Sequence, residues 1–194
     1  MRANKDIKSI LFAGVGGQGI LRASDIVCLV MMEAGMDTKK SEVHGMAQRG
    51  GCVTSHVRYG RKVYSPIAKK GVVDILVSFE KLETLRYLDF LTPQSTIIIN
   101  EKELYPPSVN LGDAQYPDNI IETVKKNFHS VKVVNAHDYA VKAGDIRTEN
   151  IALIGVLSSY LQTDLSLWEK VIRKSFPEKT ITANLKAFHM GRAT

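Results

Sequence analysis

Apolar residues along the chain fall into short continuous runs, separated by longer stretches in which they recur every three or four positions. This is the alternation of buried strands with one-sided helices. The first run, Ile10 to Ala13, reads as a buried strand. Behind it Ile20, Ala23, Val27, Val30 and Ala34 return at helical spacing until Gly35 closes the helix. Val72 to Phe79 is another buried run, and Glu80 opens a helix whose Leu82, Leu85, Leu88 and Leu91 share one stripe until Pro93. Thr96 to Ile99 is β-branched and strand-like. The pattern then predicts a helix from Asp118 or Asn119 to about Phe128, a strand over Val131 to Val134, and a short helix over Ala136 to Ala143. Asn150 to Leu161 is apolar almost all round, as in a helix buried on several sides or lying at an interface. Helices over about Ser166 to Ser175 and Glu178 to Met190 complete the chain.

Three stretches break this rhythm. Asp37 to Glu42 is too polar for the centre of a parallel sheet, and Ser41 to Gly51, with glycines among polar groups, reads as a loop. Val53, Ser55, Val57 and Tyr59 alternate with Thr54, His56 and Arg58; Gly60-Arg61 and Lys62 to Ser65 then predict a type II′ hairpin. An antiparallel hairpin after the first βα unit makes the sheet of this α/β fold mixed. Glu101 to Asn119, with Pro106, Pro107 and Pro117, reads as a long surface loop suited to covering a site or a partner surface.

Composition narrows the class. A chain of 194 residues, 44% hydrophobic and 24% charged, is read as one globular domain, 1–194. Cys28 and Cys52 match neither a disulfide framework nor a zinc spacing, which fits a reducing, cytoplasmic setting. No signal peptide or membrane span is predicted. The net charge of +6 is spread over scattered basic pairs, so a nucleic-acid partner is not expected and an anionic ligand or acidic protein partner is kept.

The candidate chemistry lies between the first strand and helix. Gly14, Gly16 and Gly19 have the spacing G-x-G-x-x-G, with Gly17 as a fourth glycine. Such a turn allows close backbone approach, and the helix behind it offers unpaired N–H groups to a phosphate. The alternative is a turn that only allows tight strand-to-helix packing. A dinucleotide fingerprint also needs an acid ending a second strand about twenty residues on; Asp37 and Glu42 lie near that distance without a convincing strand. A free-standing NAD(P)- or flavin-dependent oxidoreductase therefore rests on the glycine turn alone. Arg49 beside Gly50-Gly51 combines a guanidinium with bare amides, a second anion-binding arrangement or an ordinary connection. The five histidines stand singly, and there is no G-x-S-x-G, no phosphate loop ending in Gly-Lys-Ser/Thr and no C-x-x-C, so no catalytic residue or metal ligand is assigned. Two cysteines are too few for an iron–sulfur cluster.

At Gly14-Val15-Gly16-Gly17-Gln18-Gly19 and Glu42-Val43-His44-Gly45-Met46-Ala47-Gln48-Arg49-Gly50-Gly51 the chain resembles the gamma subunit or domain of 2-oxoacid:ferredoxin oxidoreductases. Within that family it is most similar to the beta subunits of indolepyruvate ferredoxin oxidoreductases. Cys52, where a small hydroxylic residue is expected, is a minor departure, and Asn150 with Gly155 is the best echo later in the chain. The resemblance implies a three-layer α/β/α sandwich with a mixed, mostly parallel sheet, working beside a larger subunit that carries thiamine diphosphate and iron–sulfur clusters. Together they would decarboxylate an aryl 2-oxoacid, form acyl-coenzyme A and reduce ferredoxin. In this chain it implies a cleft-facing role for Gly14, Gly16, Gly17, Gln18, Gly19, Glu42, His44, Arg49 and Gly50, with coenzyme A as the candidate ligand.

Overall fold

β1 (Ile7–Val15) runs through the middle of a six-stranded sheet of order β2-β3-β1-β4-β5-β6. The structure, a computed structural model, describes residues 7–44 and 51–194. β2 is Asp37–His44, β3 Cys52–Gly60, β4 Val73–Ser78, β5 Leu91–Asn100 and β6 Ser130–Val134. β1, β4, β5 and β6 are parallel neighbours, while β3 lies antiparallel to both β1 and β2. The helices are α1 (Ile20–Glu33), α2 (Lys81–Arg86), α3 (Pro107–Asn110), α4 (Ile120–Asn127), α5 (Ala136–Ala143), α6 (Glu149–Ser159), α7 (Leu165–Ser175) and α8 (Glu178–Arg192).

Strand alternation sends Ile10, Phe12, Val57, Val77 and Ile98 to one face, where they pack with α1 and α5 to α8. Leu11, Ala13, Leu76, Ile97 and Ile99 go to the other, against Ile120 and Val124 of α4 and the partly buried Leu82 and Leu85 of α2. The result is the expected three-layer sandwich with a mixed, mostly parallel sheet. α6 is buried on nearly every side and crosses α8 so closely that a β-carbon on Gly155 would lie 2.2 Å from Phe188 O, and one on Gly191 2.0 Å from Ala152 O. Trp168 stacks on Phe188 beside this crossing, with ring centroids 5.6 Å apart. Among the described residues no helix is long and apolar enough to cross a membrane.

Several local readings are corrected. Asp37–His44 is a strand, placed at the sheet edge, where polar residues can face solvent or form ion pairs such as Lys40 with Asp25 of α1. The loop predicted from Ser41 therefore begins later; residues 45–50 lie outside the described residues. No strand forms over 62–65, so the Gly60-Arg61 hairpin is absent: β3 pairs instead with β1 and β2, and Val63 N donates to Asp37 Oδ2 at 2.7 Å. α2 ends at Arg86, and Leu91 and Pro93 belong to β5, where the register against β4 shifts between Val73 and Ile75. The long loop after β5 holds one short helix, α3.

Candidate functional site

The glycine turn sits at the carboxyl ends of the parallel strands, the end where open α/β sheets bind ligands. Gly17 and Gly19 have φ of +107° and +75°, which a side-chain-bearing residue rarely adopts, and Gly19 is the N-cap of α1. No side chain caps α1 and no acid stands in its first turn, so its unpaired N–H groups and positive dipole end suit an anion. Gly16, Gly17, Gly19, Ile20, Leu21, Arg22 and Val53 line an open hollow of about 530 Å³ there.

The turn is held from inside. Gln18 Oε1 accepts from Val15 N at 2.7 Å, and Gln18 Nε2 donates to Phe79 O at 2.8 Å. Phe79 O also accepts from Asn100 Nδ2 at 3.2 Å, and Asn100 Oδ1 accepts from Ala136 N at 3.1 Å, joining the ends of β1, β4 and β5 to the start of α5. From the other side Asn150 Nδ2, at the first turn of α6, donates to Gly19 O at 3.2 Å. The Gln18 carboxamide is thus engaged within the protein. Gly16 N donates to Gly51 O at 2.9 Å and Gln18 N to Val15 O at 3.2 Å. Among the described residues the donors left for a ligand are the N–H groups of Gly17, Gly19 and the first turn of α1.

The remaining sequence-predicted residues are distributed as follows. Gly14 ends the buried part of β1, against Phe79 and Ile20. Glu42 lies on β2 in an ion pair with Lys40. It is level with Ser55 of β3 and, through it, Phe12 of β1, two strand spacings or about 10 Å to the side. His44 pairs with Val53 through the backbone at the end of β2, while Arg49 and Gly50 lie outside the described residues. Because β3 separates β1 from β2 and runs antiparallel to both, neither Asp37 nor Glu42 lies on a parallel strand next to β1, the place a dinucleotide fold needs for its acid.

A polar cluster missed at the sequence level stands on the other side of the sheet. Glu80 caps α2 by accepting from Glu83 N at 2.9 Å, and its other oxygen accepts from Leu104 N at 3.2 Å and from the Tyr116 hydroxyl. Burial raises the Glu83 carboxyl above its ordinary range and pushes the nearby Cys52 thiol up to about 11, so Cys52 is a poor nucleophile at neutral pH. Among the described residues no group of His, Cys, Asp and Glu converges to hold a metal ion.

The model of the family described as pyruvate ferredoxin/flavodoxin oxidoreductase matches residues 9–194. The chain belongs to this family. It is 40% identical over 187 residues to indolepyruvate oxidoreductase subunit IorB of Archaeoglobus fulgidus, covering 94% of this chain and 92% of that one. The subunit of the same name from Thermococcus kodakarensis is 38% identical over 188 residues, covering 94% and 93%. Among solved structures, pyruvate oxidoreductase subunit PORC of Thermotoga maritima shares the fold with a TM-score of 0.73 at 23% identity, covering 97% of both chains. A 2-oxoglutarate:ferredoxin oxidoreductase from Magnetococcus marinus, with 2-oxoglutarate, coenzyme A and succinyl-CoA bound, matches with a TM-score of 0.75 at 20% identity. It covers 98% of this chain, which spans only 31% of that longer one.

Proposed function

We propose that this chain is the small subunit of an indolepyruvate- or arylpyruvate-type 2-oxoacid:ferredoxin oxidoreductase, and that it forms part of the coenzyme A cleft. The observation that carries the reading is a glycine turn whose N–H donors lack a partner among the described residues, with no nucleophile or base among the described residues lining its hollow, in a chain that matches IorB subunits over 94% of its length. Such a site binds and orients; it does not itself break bonds. Thiamine diphosphate and iron–sulfur clusters on the larger partner supply the decarboxylation and electron transfer, with ferredoxin as acceptor. We infer a cytoplasmic setting for the complex, consistent with the free thiols Cys28 and Cys52.

The N–H groups of Gly17, Gly19 and the first turn of α1 would hold phosphate oxygens of coenzyme A, and Arg22, in the same turn, adds a cation. Gln18 and Asn150 keep the turn in shape. Arg49 and Gly50 extend the donor set in this reading, while Glu42 and His44 shape the strand that leads to them.

The test is reconstitution with the larger subunit. The pair should reduce a dye in a reaction that depends on both an arylpyruvate and coenzyme A, and the large subunit alone should be far weaker; equal rates without this chain overturn the proposal. Gly17→Ala places a side chain on a strained φ where nothing else lies within 4 Å, so it should raise KM for coenzyme A much more than KM for the oxoacid.

A further inference from the structure

At the edge of the sheet opposite the glycine turn, where β1 begins and β3 ends, lies a hollow of about 520 Å³. Three parts of the chain meet there. Tyr59 and Arg61 come from the end of β3, Met31 and Met36 from the end of α1, and Tyr160 and Leu161 from the connection between α6 and α7. That connection is fixed by its own backbone, since Tyr160 N donates to Leu157 O at 3.0 Å and Thr163 N to Leu161 O at 2.9 Å. The lining is therefore formed before any ligand arrives.

Its chemistry divides into an apolar part and a donor part. Met31 is fully buried, Leu161 is buried and Met36 half-buried, and thioethers pack well against aromatic rings. Tyr160 is 42% exposed, so its ring is open to contact. Arg61 is exposed and forms no ion pair among the described residues, and no carboxylate lines the hollow with it. The nearby Asp74, which lines an adjoining hollow, is already engaged by Lys8 Nζ at 3.0 Å and Ser9 N at 2.8 Å. Tyr59 is only 8% exposed, yet its hydroxyl forms no hydrogen bond among the described residues and is not closed off from solvent. Burial and the Asp74 charge push that hydroxyl up to about 12, so at neutral pH it keeps its proton and donates. An unpaired guanidinium and a protonated phenol are donors for a carboxylate, while the methionines, Leu161 and the open Tyr160 ring offer a surface to an arene.

We propose that this hollow binds a small aromatic carboxylic acid, with its ring against Met31, Met36, Leu161 and Tyr160 and its carboxylate on Arg61 and the Tyr59 hydroxyl. The site stands apart from the glycine turn of the proposed function: α1, 14 residues long, separates the two by about 20 Å. Both can be filled at once. An acid without a ring, or a ring without a charge, satisfies only half of the lining.

Titration of the full chain with phenylacetate tests it, read by calorimetry and by the emission of Trp168. Trp168 is the sole tryptophan, and its Nε1 donates at 2.8 Å to Oγ1 of Thr163, another residue of the lining. Phenylacetate should shift that emission and bind with a Kd of about 1 mM or tighter, whereas phenylethanol and hexanoate should each bind about tenfold more weakly. Arg61→Ala should weaken phenylacetate about tenfold and phenylethanol less than about twofold, and Tyr160→Ala should weaken both about fivefold. Arg61 is exposed, so its variant stays informative if the Tyr160 variant folds poorly. Absence of phenylacetate binding, hexanoate binding as tightly as phenylacetate, or native affinities in both variants would each overturn the site. In the assembled two-subunit enzyme the Arg61-dependent binding should persist, and coenzyme A should not displace it. Loss of that binding on assembly would mean that the larger subunit covers the hollow, and displacement by coenzyme A would put the acid at the glycine turn; either result overturns the proposal.

Discussion

On one face of the sheet α1 and α5 to α8 close over Phe12, Ile98, Trp168 and Phe188 in a continuous apolar layer. On the other, α2, α4 and their connections bury Glu80, Glu83 and His56 among a smaller set of aliphatic side chains. The first layer depends mainly on volume and close approach, because most of its side chains have only packing to lose, Trp168 Nε1 donating to Thr163 Oγ1 being an exception. The second also depends on charge state: burial raises the Glu83 carboxyl and lowers the His56 imidazole. Stability should therefore respond to size on one side and partly to pH on the other.

The sharpest way to break this contrast is Phe188→Ala, which removes a fully buried ring stacked on Trp168 and should cost about 4 kcal/mol in denaturant unfolding. A loss of less than about half that would mean α8 is not part of the main core. Gly191→Ala comes next: its new methyl would meet Ala152 O at 2.0 Å, so α6 and α8 must separate, at about 3 kcal/mol. Thermal melts would expose the error if this variant were as stable as the native chain. On the other face Ile120→Ala should cost about 2 kcal/mol, the low end for such a truncation, since the layer around it is thinner.

The smallest effect is the one with a pH sign. Folded Glu83 holds its proton more tightly than the unfolded chain does, so its contribution is fully present below the ordinary value of 4.5 and is lost as pH rises through the raised folded value. Glu83→Gln should therefore match the native chain in acid and gain on it as pH climbs past 4.5 toward neutrality. Parallel stability profiles for the two chains would remove Glu83 from the comparison.

What could be read from the chain was what neighbouring residues decide. The β1, glycine-turn and α1 unit is local, and so are α5 to α8, whose apolar spacing needs no distant partner. β2 escaped because its contacts are edge pairing with β3 and ion pairs to α1 rather than apolar burial. The predicted hairpin failed because β3 finds its partners in strands far away in the chain, while Arg58 Nη1 donates to Ser65 O at 2.9 Å and helps hold the following segment as a loop. Within the site, the glycines and their N–H groups were legible, but the inward turn of Gln18 toward Phe79, 61 residues on, was not. Phe176 and Asn184 carry no motif at all; the packing of α8 against α6 and α7 gives them a shared hollow.

The shared carbonyl of Phe79 has a dynamic consequence. Val15 N is protected by Gln18 and Ala136 N by Asn100, and both amides answer to that single oxygen. Fraying at either place releases a bond that steadies the other, so hydrogen exchange at Val15 and at Ala136 should slow and quicken together although the residues belong to different crossover units.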